Sequence, residues 1–313
     1  MGRLAALGLA LVVLAACAPQ AAIDAVDEGA ETATDPAGAA ADAPVATEAP
    51  ATAAGDQSAD AQQGEEQPSE TASRSSRPAA APRPAWLGTR VLPRRPDGYG
   101  EIRPTPRILR NRRLVTEDLL PPPASGRFAS QVRPVPADVA RRSTWSPQCP
   151  VTLDDLRYVT VSFWGFDDRP HTGELLVHRD AARDLVAVFR QIYRARFPIE
   201  EMRIVTPADL DAPPTGDGNN TTAFVCRPSR GTTSWSQHAY GLAVDINPFH
   251  NPYAKGDVVL PELASAYVNR DRHRPGMIQP GDQVVTAFAQ IGWAWGGSWS
   301  SLKDWMHFSA NGR

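Results

Sequence analysis

Two stretches of this sequence carry side chains able to hold a metal ion and activate water. The first is Ser236-Gln237-His238-Ala239-Tyr240-Gly241-Leu242-Ala243-Val244-Asp245-Ile246-Asn247, with a histidine and a carboxylate seven residues apart. The second is Asp304-Trp305-Met306-His307-Phe308, which follows Trp293-Ala294-Trp295-Gly296-Gly297-Ser298-Trp299. Two imidazoles and one carboxylate, His238, His307 and Asp245, are a three-ligand set for catalytic zinc, with the fourth position left to water. A further carboxylate nearby, Asp304, is what hydrolysis needs as general base and acid.

The elements that must position these groups are legible. From Leu242 the apolar Leu242, Val244 and Ile246 alternate with Ala243, Asp245 and Asn247, a strand pattern that puts the first set on a core and Asp245 on the opposite, open face. His238 lies an odd number of residues from Asp245, so the chain must bend between them, and Gly241 permits the bend. His307 alternates with Met306 and Phe308 and leaves its strand away from the core. Upstream, Arg157 to Phe166 reads as a strand, Asp167 to Gly173 as a turn and Glu174 to His178 as a second strand, a hairpin. Asp180 is the expected N-cap of a helix carrying Leu185, Val188, Phe189, Ile192 and Tyr193, which ends before Pro198. Arg203 to Val205 is a short strand. A second helix is expected over Asp282 to Ile291, stopped by Gly292. Strands and helices in mixed order, with antiparallel pairing, indicate an α+β fold.

Ser-x-His-x-x-Gly-x-Ala-x-Asp, then Trp-Gly-Gly-x-Trp and Asp-x-x-His-Phe, resembles the M15 family of zinc peptidases. These are the D-alanyl-D-alanine carboxypeptidases of the VanY type and the related L-alanyl-D-glutamate endolysins. The resemblance covers about Cys149 to Arg313. It implies one Zn²⁺ on His238, Asp245 and His307, Asp304 as catalytic acid/base, and a small antiparallel sheet carrying the metal, flanked by helices. Some branches carry Glu where Asp304 stands; the Asp is closer to the endolysin-like branch. It also implies an arginine upstream of the first histidine that contacts substrate and the developing oxyanion. Arg227 is the candidate, with Arg230 its competitor and a plain surface arginine the third reading. Ser236 matches a position that hydrogen-bonds substrate; the alternative is a turn-former serving its own backbone. Trp235, Trp295, Trp299 and Trp305 surround the two stretches, some as core and some, Trp305 among them, as a wall of the substrate groove. The other histidines, His171, His178, His250 and His273, have no matching ligand role and are expected at the surface, His250 in a loop after the strand with cleft lining as its alternative.

The first half of the chain differs. Residues 1–16 read as a lipoprotein signal peptide: Arg3, an apolar run too short to span a bilayer, and Leu14-Ala15-Ala16-Cys17 as a lipobox, with acylation expected on Cys17. Residues 17–85 are expected to be a disordered linker. Residues 21–73 hold twelve carboxylates and no Lys or Arg, and no aromatic residue precedes Trp86, too little apolar surface to offset ordering entropy. Residues 86–144 are Arg/Pro-rich and read as an extended arm wrapped on the catalytic domain, 145–313, or as a basic linker against anionic wall polymer or lipid.

Beyond Cys17, only Cys149 and Cys226 remain, and in an exported protein that pair is expected to form a disulfide. A net charge of −3 says nothing about nucleic acid, and no helix-turn-helix, finger or stacking motif supports it as a partner. The expected protein is a monomer outside the cytoplasm, tethered by lipid to the outer face of a bacterial membrane, with peptidoglycan stem peptides as substrate. Three activities fit this reading: removal of a terminal D-Ala, cleavage of L-Ala-D-Glu or a cross-bridge, and non-catalytic wall binding with a structural metal.

Overall fold

The computed structural model describes residues 79–313. The expected signal peptide, the lipidated Cys17 and the linker up to residue 78 lie outside the described residues. The residues read as an extended arm end in β1 (Ser130–Arg133), which pairs with the body, and α1 (Ala137–Arg142); then come β2 (Leu156–Trp164), β3 (Pro170–His178), α2 (Ala182–Arg194), β4 (Glu201–Met202), α3 (Pro207–Asp211) and β5 (Asn220–Thr221). A 3-10 turn, Gln237–Tyr240, leads into β6 (Ala243–Asp245), followed by β7 (Tyr253–Lys255), β8 (Val258–Leu260), α4 (Gln283–Ala289), β9 (Ala294–Trp295), β10 (Lys303–Asp304) and β11 (His307–Ser309). The class is α+β, as expected. Three small antiparallel sheets are present, ordered β1-β2-β3, β6-β11-β9 and β10-β7-β8, with β4 and β5 as a parallel pair.

The main core forms where β2 and β3 meet α2. Val159, Val161 and Phe163 recur every second residue of β2, while Leu185, Val188, Phe189 and Ile192 recur at helical spacing, and all are buried together. Each such side chain contributes about 1.5–3 kcal/mol when fully buried. Val244, Ile246 and Phe308 join the same cluster, so the strands carrying the candidate ligands are seated on this core. The other face of β2–β3 is covered too, by Phe224 and Ile204 packed on Tyr158 and Leu176.

Three boundaries differ from the sequence reading. β3 begins at Pro170, and Gly173, read as a turn residue, is inside the strand because Met202 of β4 packs on it: a Cβ there would lie 2.4 Å from Met202 Sδ. Asp180 does not cap α2; Ala181 holds that position, and Asp180 faces His178 and Arg179 at the surface. The short strand expected at Arg203 to Val205 is β4, at Glu201–Met202, just before it. The second helix does start as read, with Asp282 accepting from Val284 and Val285 N–H.

Residues 79–144 pack on the body. Leu92, Leu109 and Leu114 form a second core with Phe249, Leu263, Tyr267 and Met277. Residues 79–85, expected as part of a disordered linker, are instead tied down: Ala81 exchanges backbone hydrogen bonds with Arg113 and Val115, and Arg83 pairs with Glu200. At the centre of this contact Arg112 donates to both oxygens of Glu200 at 2.7 Å, with both side chains out of solvent. Two histidines expected at the surface are buried. His250 sits between Asn219 and the Arg112 carbonyl, and burial pushes its pKa down to about 4. His171 lies within β3 between Asp118 and Asp167. The residues spacing could not see, those of the arm, supply the polar partners that make such burial tolerable.

Cys149 and Cys226 are disulfide-bonded, as expected, with a sequence separation of 77. Among the described residues, no helix is long and apolar enough to cross a membrane.

Candidate functional site

The site is assembled from the 3-10 turn and two paired strands. Ser236 starts the turn: its Oγ accepts from the His238 N–H at 3.3 Å, so this side chain serves its own backbone. Gly241 ends the turn at φ +68°, and a Cβ there would meet the His178 amide nitrogen at 2.6 Å. That is the bend the sequence demanded, and it turns His238 back toward Asp245. β11 then lays His307 directly opposite Asp245. The Ile246 N–H donates to the Met306 carbonyl, which leaves Asp245 and His307 as a non-hydrogen-bonded pair, the kind whose side chains approach most closely. On its other side Asp245 exchanges two backbone hydrogen bonds with Thr222. Its strand is therefore held at both edges, and Ala243 and Asn247, expected on an open face, are buried.

Three side chains converge. His238 Nε2 lies 3.3 Å from Asp245 Oδ2 and 3.3 Å from His307 Nδ1; His307 Nδ1 lies 3.0 Å from Asp245 Oδ1. One donor atom from each lies within 4.8 Å of the others. The far ring nitrogens are committed: His238 Nδ1–H donates to the Ala223 carbonyl at 2.5 Å, and His307 Nε2–H to the Arg313 carbonyl at 3.1 Å. Each imidazole so oriented turns its lone pair toward the shared point, the arrangement by which backbone carbonyls fix a ligand's tautomer. Two neutral nitrogens and one carboxylate suit zinc, so the residues present fit the ion the sequence suggested.

Electrostatics agree with a centre built for positive charge. Burial alone would raise the Asp245 pKa, but His238 and His307 hold it well below the ordinary carboxylate range. Burial would lower His307, but the hydrogen bond and charge of Asp245 raise it to about 9. Without a cation the second imidazole holds a proton where a metal would sit.

Asp304 stands on β10, whose partner is Tyr253 of β7. Its Oδ1 is buried and has no hydrogen-bond partner. Burial, then the charge of Asp245, push its carboxyl above the ordinary range, while His307 and Arg227 pull it back. A desolvated carboxyl with a vacant acceptor beside the His-Asp-His set is equipped to take and return a proton.

Arg227 stands across the neck of a loop from Ser236, whose N–H donates to the Arg227 carbonyl at 3.3 Å. It is half-buried and senses the charges of Asp245 and Asp304, and burial lowers its pKa. Arg230, three residues on, is exposed and lies 5.1 Å over the ring of Tyr99. Trp305 is 8% exposed and belongs to the main core, beneath Arg270 at 5.0 Å. The Trp299 ring lies 5.7 Å from the His307 ring. Sequence reasoning missed the Ala223 and Arg313 carbonyls, because backbone acceptors carry no residue signature. It also missed Tyr99, whose contact with Arg230 joins positions 131 apart by their numbers.

The arrangement defines a class first: a buried His-Asp-His set for one cation with an unpaired carboxyl at hand. Residues 230–310 match the family model described as D-alanyl-D-alanine carboxypeptidase, which supports an M15-family peptidase domain in this part of the chain. The resemblance read from the motifs is thereby borne out. No curated protein and no solved structure matches the chain.

Proposed function

We propose that the protein is a zinc-dependent peptidase of peptidoglycan stem peptides, and that its reaction is removal of the terminal D-Ala. The observation that carries this reading is the convergence of His238, Asp245 and His307 with the unpartnered Oδ1 of Asp304 beside them. The matched family's description supports the substrate. His238, Asp245 and His307 would hold the ion. Bound there, zinc would polarise the scissile carbonyl and make water nucleophilic at neutral pH. Asp304 takes the proton of the attacking water at its open oxygen and passes it to the leaving amine. Arg227, which senses the charge of both carboxylates, would stabilise the oxyanion or hold the substrate's carboxylate. A purely structural metal site closes its fourth position with a fourth protein ligand and has no use for a spare buried carboxyl.

The same proposal includes the address. The lipobox at Leu14-Ala15-Ala16-Cys17 supports a lipid anchor on Cys17 at the outer face of a bacterial membrane, where stem peptides are found, with the protein acting as a monomer. Digestion of purified muropeptides, followed by mass spectrometry, tests the reaction. Loss of a single alanine is expected. Products cut at L-Ala-D-Glu or within a cross-bridge would assign an endopeptidase, and no product at all would sink the enzyme.

A further inference from the structure

The arm carries a small hairpin that reaches the two elements flanking the site. Arg94 pairs with Gly100, and the Arg95 N–H donates to the Tyr99 carbonyl at 2.8 Å, with Gly98 at the tip. On one side Arg95 pairs at 3.0 Å with Asp257, in the turn joining β7 to β8. β7 is the strand that pairs with Asp304. On the other side the Tyr99 ring supports Arg230, in the loop that begins with Arg227 and returns to Ser236 and His238. The hairpin is fixed at its base. The Gly100 N–H donates to the buried Glu262 at 2.8 Å, the Leu92 N–H to Pro214 at 2.8 Å, and Leu92 is part of the second core. It is a rigid wall.

Among the described residues neither Arg227 nor Arg230 is paired with a carboxylate; Arg227 Nη1 donates to the Pro228 carbonyl at 3.1 Å, and Arg230 rests on the Tyr99 ring. Two guanidiniums three residues apart with no carboxylate partner, one half-buried and sensing Asp245 and Asp304, the other propped on an aromatic ring, make a receiver for an anion. This inference rests on the peptidase reading and deepens it.

We propose that the arm hairpin 94–100 forms one wall of the substrate groove, and that Tyr99, by holding Arg230 beside Arg227, closes its end on the free C-terminal carboxylate of a peptide. Tyr99 is then a specificity-determining residue supplied from outside the family-matched region. An amidated or extended C-terminus, with no terminal charge at that end, gains nothing from the pair.

The test uses the full chain with zinc added. The probe is a stem pentapeptide ending in D-alanyl-D-alanine, as the free acid and as its C-terminal amide. Calorimetry gives Kd in an Asp304→Asn background, where turnover does not consume the probe, and steady-state rates give KM and kcat otherwise. Tyr99→Ala is expected to raise Kd and KM for the acid about fivefold to tenfold, with kcat changed less than about twofold. Tyr99→Phe should match the parent, and the amide should bind parent and Tyr99→Ala equally. Arg230→Ala, on an exposed loop, should reproduce the Tyr99→Ala result, which covers the case in which Tyr99→Ala fails to fold. Equal acid affinity in the parent and both alanine variants overturns the proposal. So does an equal loss for acid and amide, and so does a parent that binds neither. A parent that binds the acid through Tyr99 but never cuts it sinks the peptidase reading alone.

Discussion

Arg112→Ala is the most demanding perturbation of the fold. The guanidinium places Nε and Nη2 on the two oxygens of Glu200 at 2.7 Å each, and Nη1 on the Asp217 carbonyl at 2.7 Å. Its face lies 4.4 Å over the Phe249 ring. Removing it leaves a carboxylate with no solvent access. Breaking such a pair from one side costs about 3–5 kcal/mol, and the lost ring contact adds about 0.5–1 kcal/mol. Arg83 at 3.2 Å and the Asn219 amide at 2.9 Å still reach Glu200, so the expected loss is about 3–4 kcal/mol. Urea unfolding followed by tryptophan fluorescence, with eight tryptophans as probes, reads it directly. The pH dependence is a second check. Burial pushes the Glu200 pKa up, but Arg112 pulls it further down, so the folded value lies below the ordinary 4.5. The stabilisation is present above that ordinary value and fades as pH falls through the folded one. The gap between parent and variant must therefore narrow at pH 4 relative to pH 7. Replacing both partners with methionine should cost less than Arg112→Ala alone. A loss under about 1 kcal/mol, or a gap that widens in acid, would refute the view that this pair anchors the arm.

Other outcomes follow from the same coordinates. Asp304→Asn should keep zinc while hydrolysis falls at least about a hundredfold, which metal analysis and muropeptide turnover separate. Cys226→Ser opens a link spanning 77 residues and should cost about 4 kcal/mol in the loop-entropy description, read by denaturant unfolding. The His307 pKa of about 9 in the metal-free site makes its stabilisation complete below the ordinary 6.5, and lost as pH rises through 9. Metal-free protein should therefore weaken between pH 7 and pH 9.5 while zinc-loaded protein does not. Zinc binding at pH 7.5 should release about one proton, measurable by calorimetry in buffers of different ionisation enthalpy.

The candidate site was readable because its chemistry is carried by side chains on short, periodic segments. The alternation around Asp245 and His307 and the bend at Gly241 contained the geometry that β6, β11 and the 3-10 turn display. The hairpin of β2 and β3 and the helix α2 were legible for the same reason, each having one apolar face on a common core. The arm was not, since Leu92, Leu109 and Leu114 are buried singly between prolines and arginines and show no period. His250 and His171 were misread because their partners, Asn219, the Arg112 carbonyl, Asp118 and Asp167, come together only when the arm and the body have folded. Gly173 was misread because a glycine marking a turn and one admitting a close neighbour look alike in sequence.

Zinc titration of chelator-stripped protein tests the central assignment most directly, with the parent beside His238→Ala, Asp245→Ala and His307→Ala. One equivalent should bind the parent, and each substitution should weaken it by more than about a hundredfold. A parent that takes up no zinc, or a His307→Ala protein that holds it as tightly as the parent, would contradict a shared three-ligand centre.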